Sequence, residues 1–150
     1  MFGTGAIGIF TLAAPLFLIP TSAQQDAERQ KISLTQFSDE LATCHVYCLT
    51  ISRCLQAPNR GHTPADLSIS QQYAINADRL RQLAFSFSRS AGRADAATAA
   101  LINRVIQNAA TRVQANCANV ASLMNQYGEE CQELADHPDD RLEALLNRNQ

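Results

Sequence analysis

Apolar side chains at Leu34, Phe37, Leu41, Cys44, Cys48, Ile51 and Leu55 recur in alternating steps of three and four, the spacing that aligns residues on one face of an α-helix. They predict a long first helix, opened by a Ser33/Gln36 capping box or earlier, within residues 25–30, and stopped by the loop Pro58, Asn59, Arg60 and Gly61. A second stripe runs through Tyr73, Ala77, Leu80, Ala84 and Phe87, widened by Leu83. Thr63 is placed to cap its start, Pro64 suits the first helical position, Asp66 can accept from free backbone amides, and Gly92 is available as the left-handed residue at its end. The third stripe is longer: Ile102, Ile106, Ala109, Val113, Cys117, Val120, Met124 and Tyr127, closed by Gly128. Beyond it a short turn carries Cys131 and Leu134, and Pro138 opens a last segment in which Leu142, Leu145 and Leu146 share a face that can close over the bundle as a clasp.

Three long amphipathic helices with short connections bury their stripes most simply by antiparallel packing at about 20°. The expected fold is all-α: an up-down-up bundle with a C-terminal helical cap, stapled by disulfides. Composition agrees, since the chain beyond residue 23 is rich in Ala, Gln, Asn and Arg, Trp is absent, and Gly and Pro only punctuate. Neither an internal repeat nor a low-complexity segment is visible.

The first residues differ from all that follows. Residues 7–19 form an almost unbroken apolar run without charge, followed by Pro20, Thr21, Ser22 and Ala23, and the small side chains at Thr21 and Ala23 match a signal-peptidase site before Gln24. The run falls short of the roughly 20 residues needed to cross a bilayer. No Cys follows directly, so no lipid anchor is implied, although the segment before the run carries no Lys or Arg. The expected organisation is a signal peptide at 1–23 and one helical domain at 24–150, exported to the periplasm or secreted and not inserted in a membrane once the leader is removed.

All the charge lies beyond that leader, 12 basic against 14 acidic side chains, and this near-neutral balance disfavours a nucleic-acid partner. The charges are nonetheless polarised. Between Arg53 and Arg112 eight arginines face three aspartates, whereas from Val113 onward Arg141 and Arg148 face seven carboxylates. Either the acidic tail folds back and neutralises the basic helices, or a bipolar surface remains to orient a partner protein.

Five cysteines in an exported chain of this size suggest disulfides. If the first and third helices run parallel, Cys44 and Cys117 lie at one height and Cys54 and Cys131 at another, so Cys44–Cys117 with Cys54–Cys131 is the expected pairing among three possible connectivities. Cys48 is left over, because Cys44 on the same helical face cannot reach it with disulfide geometry. It reads as a small buried filler in the seam, with intermolecular pairing or metal ligation as alternatives. Cys44, His45 and Cys48 together could offer two thiols and an imidazole to Cu(I) or Zn(II) on one helical turn. The spacing of Cys44 and Cys48 is not that of haem attachment, an in-stripe Met124 reads as core, and Cys44 and His45 point about 100° apart, away from any nucleophile–base pairing.

The series Cys44, Tyr47, Cys54, Cys117, Tyr127, Cys131, Leu134, Pro138 and Arg141 behind an export signal resembles small uncharacterised helical proteins of the bacterial cell envelope. That resemblance covers the two cysteine-bearing ends and implies envelope location and four paired cysteines, with Cys48 as this chain's departure; it implies no activity. With no Ser, His and carboxylate set to nominate, no catalytic residue and no cofactor are expected. Two functions stay open: an envelope or periplasmic interaction module (inhibitor, immunity protein or accessory subunit) with an unknown protein partner, or a copper- or zinc-binding protein using Cys44, His45 and Cys48.

Overall fold

Thr63 begins the second helix as its sequence suggests: its N–H and hydroxyl both donate to the Asp66 carboxylate at 2.9 and 2.7 Å, and its Oγ1 accepts from the Asp66 N–H. At the other end Gly92 takes φ +74°, and the amides of Gly92 and Arg93 close on the carbonyls of Arg89 and Ser88 in a Schellman motif. This computed structural model describes residues 21–57, 63–113 and 117–149. Among the described residues the chain is all-α, with five helices: α1 Ser22–Leu55, α2 Pro64–Ser90, α3 Asp95–Val113, α4 Val120–Asp136 and α5 Pro138–Arg148. The expected leader lies largely outside the described residues, and so does the loop at Pro58, Asn59, Arg60 and Gly61.

Paired residues give the helix directions. Ser52 meets Ser70, His45 meets Ala77, Ser38 meets Ala84 and Phe37 meets Phe87, so α2 descends as α1 rises. Thr98 bonds Ser88 near the foot of α2, and α3 climbs from there beside α1. The chain then reverses. Cys117 joins Cys54, Tyr127 stacks on Tyr47, Cys131 joins Cys44, Arg141 pairs with Glu40, and Leu145 reaches Ser33, so α4 and α5 descend along α1 in sequence.

This reversal corrects the expectation of one third helix running from Ile102 to Tyr127. Its stripe is divided between α3 and α4, with Cys117 in the left-handed region at φ +56°. Apolar spacing alone does not reveal the turn, because Val113, Cys117 and Val120 keep the steps of four and three across it. The expected pairing fails for the same reason. The disulfides are Cys44–Cys131 and Cys54–Cys117, since α4 runs antiparallel to α1 and places the later cysteine beside the earlier one. Gly128 does not close a helix either: it sits inside α4, where a β-carbon would stand 3.1 Å from Tyr73 Oη.

The upper part of α1 is the centre of the molecule. Leu41, Ala42, Cys44, His45, Val46, Tyr47, Cys48, Ile51, Ser52, Cys54 and Leu55 are all buried, far more than one stripe, as befits a helix packed on several sides. Its polar members are satisfied by bonding across to α2: His45 Nδ1 to Ala77 O, and Ser52 with Ser70; one turn below, Ser38 donates to Ala84 O. Among the described residues no buried side-chain polar atom lacks a partner. The lower part is different: residues 21–32 are exposed throughout. Gln24 accepts from the Thr21 N–H at the helix start, so Ser33, expected as a capping residue, instead lies within α1, fully buried, donating to Arg29 O and Leu145 O.

Candidate functional site

The three residues weighed as metal ligands do not form a set. Cys44 Sγ is bonded to Cys131. His45 is held in the tautomer that donates from Nδ1, because its partner at 2.8 Å, the Ala77 carbonyl, can only accept. Burial lowers the His45 pKa below its usual 6.5, against the Ala77 hydrogen bond that raises it; Arg81 and Arg53 lower it further and Asp78 opposes them. Cys48 is a free thiol, 1% exposed, pushed up to about 12 by burial, and therefore neither thiolate nor nucleophile near neutrality. Among the described residues no group of three His, Cys, Asp or Glu side chains converges to hold a metal ion.

Charge placement also departs from simple neutralisation. α5 docks on α1 through Arg141, which forks onto both Glu40 carboxylate oxygens at 2.8 and 2.9 Å, and Arg93 caps Asp39. The carboxylates Glu129, Glu130, Glu133, Asp136, Asp139, Asp140 and Glu143 remain exposed. None of them is ion-paired with an arginine of α2 or α3 among the described residues. The acidic tail packs mainly on the central helix, and where it meets α2 and α3 it does so through Gly128, Gln132 and Tyr127 against Tyr73, Asn76 and Arg112, not through its carboxylates.

Where α4 stops short of the exposed start of α1, a groove of about 560 Å³ opens. The α1 wall carries Glu28, Ile32, Thr35, Asp39 and Thr43, one side of the helix at steps of three and four; the α4 wall carries Tyr127, Glu130 and Leu134. Its lining is mainly apolar and its rim acidic. A second cleft of about 260 Å³ shares Glu40, Glu130 and Leu134 with it and extends past Glu133, His137, Asp140 and Arg141. At the upper end the groove is bounded by a tyrosine pair. Tyr47 and Tyr127 stack, Arg112 Nη1 donates to Tyr127 Oη at 2.7 Å, and burial pushes the Tyr47 hydroxyl up to about 12, reinforced by the neighbouring Tyr127 hydroxyl.

The walls of this groove come from segments about ninety residues apart in the chain, so no local spacing in the sequence joins them. One signal was present: Ile32 is apolar, lies off the main stripe, and shares its helix face with Glu28, Thr35 and Asp39. In comparisons with known proteins, no family model matches the chain, and neither a curated protein nor a solved structure does.

Proposed function

We propose that the chain is an exported, disulfide-stapled interaction module of the cell envelope or periplasm that acts by docking another protein, as an inhibitor, immunity protein or accessory subunit does. The observation that carries this reading is the groove between α1 and α4, an apolar trough with an acidic rim and the exposed Ile32 on its wall. Two disulfides fit an oxidising compartment, and among the described residues no helix is long and apolar enough to cross a membrane. Central burial of α1 and two cross-links favour a rigid scaffold, which keeps a docking surface preorganised.

A copper or zinc role through Cys44, His45 and Cys48 is less well supported. With Cys44 in a disulfide, two side chains remain, too few for a tight tetrahedral site.

The test has two readings from one preparation. Mass spectrometry of the exported protein should find an N-terminus at Gln24, and crosslinking in the intact envelope should convert it into a defined complex with a second protein. Protein that retains Met1, or that stays monomeric under crosslinking, contradicts the proposal.

A further inference from the structure

We infer that the groove between α1 and α4 seats a cationic amphipathic helix of the partner protein, an inference that rests on the interaction-module reading and gives it a chemistry. The shape argues for a helix. The α1 wall from Glu28 to Thr43 lies within one uninterrupted helix and spans about 22 Å at 1.5 Å per residue, room for four turns lying alongside. A helix laid there would extend the bundle by the same packing its own helices use, putting one apolar stripe onto Ile32, Leu134 and the edge of Tyr127. Ile32 is 52% exposed although its helix continues into the core, so a covering element would bury it.

Charge decides what kind of helix. The groove and adjoining cleft carry six carboxylates against Lys31 and Arg141, with Arg93 reaching Asp39 from outside the lining. Arg93 and Arg141 are already engaged by Asp39 and Glu40. Glu28, Glu130, Glu133 and Asp140 make no ion pair among the described residues, and all are exposed. An acidic rim around an apolar floor is complementary to Lys or Arg flanking an apolar stripe, and it repels an acidic helix of the same shape. It repels an anionic lipid surface as well.

The probe is a fluorescein-labelled 18-residue helix with a Leu stripe flanked by Lys, compared with the same peptide carrying Glu for Lys, each titrated against the mature, oxidised chain by fluorescence anisotropy. The Lys peptide should bind with micromolar Kd and the Glu peptide should not. Since any acidic protein attracts a cationic peptide, the variants carry the decision. Ile32→Asn, and Glu28→Gln with Glu130→Gln, should each weaken binding at least fivefold with circular dichroism unchanged, while Glu143→Gln, outside the groove, should leave it within twofold. Equal binding of both peptides, or an Ile32→Asn affinity within twofold of wild type, overturns the inference. So does a concentration-dependent dimer that Ile32→Asn dissociates, which assigns the groove to a second copy. A photo-crosslinkable residue at Ile32 or at Ile75, the latter 63% exposed on α2, separates the two levels in the native envelope. Crosslinks from Ile75 alone overturn the groove and leave the module; crosslinks from neither overturn the module itself.

Discussion

The ring of Tyr47 lies flat against that of Tyr127, centroids 3.7 Å apart and planes 11° from parallel, and Arg112 reaches the outer face of the pair. This contact ties α1, α3 and α4 together at a level between the two disulfides and forms the upper end of the groove.

Removing that stack should loosen α4 more than losing its hydroxyl does. Tyr127→Phe keeps the ring and gives up an exposed hydrogen bond to Arg112, about 0.5 kcal/mol. Tyr127→Ala should cost about 2 kcal/mol through lost ring burial and stacking. Urea unfolding of both variants, followed by far-UV circular dichroism, gives the comparison; equal losses would mean that the ring contact carries little.

His45 makes stability depend on pH in one direction. Its pKa is lowered on folding, so the unfolded chain binds the extra proton first. The contribution is therefore complete above about pH 6.5, and it is lost as pH falls below that value toward the lowered folded pKa. His45→Gln can still donate to Ala77 O but does not titrate. Midpoints measured between pH 8 and pH 5 should fall for the wild type and stay flatter for the variant, and parallel profiles would show that another group dominates.

Cys48 should behave as an inert core atom. It should resist Ellman's reagent in the native protein and react as one thiol per chain after denaturation without reductant. Cys48→Ala should cost about 1 kcal/mol through a small cavity. Rapid native labelling would contradict its burial.

How far the chain could be read from its pattern differs from helix to helix. The α1 and α2 stripes, the Thr63 cap and the Gly92 terminator follow local rules, in which neighbours three or four residues apart decide the outcome, and they are visible in the order of residues. The turn at Cys117 is not, because the apolar steps continue across it and its disulfide partner Cys54 lies 63 residues away, beside it only in the assembled fold. Central burial of α1 was masked by its own polar residues: Ser38, His45 and Ser52 look like a solvent face until Ala84, Ala77 and Ser70 are known to receive them. The groove is a tertiary feature of the same kind, since Ile32 and Leu134 line it together only because α4 turns back.

The descent of α4 along α1 builds the groove wall, and the disulfide map tests it most directly. Cys117 and Cys131 share one tryptic peptide but are separated by Glu129 and Glu130, while Arg53 separates Cys44 from Cys54, so non-reducing digestion with trypsin and a Glu-specific protease puts these four on separate peptides, Cys48 staying with Cys44 and marked by alkylation of the denatured chain before digestion. The expected products join the peptide bearing Cys44 to that bearing Cys131, and the peptide bearing Cys54 to that bearing Cys117, with Cys48 alkylated as a free thiol. Cys44 joined to Cys117, with Cys54 joined to Cys131, would mean that α4 continues upward beside α1, and the groove between them would not exist.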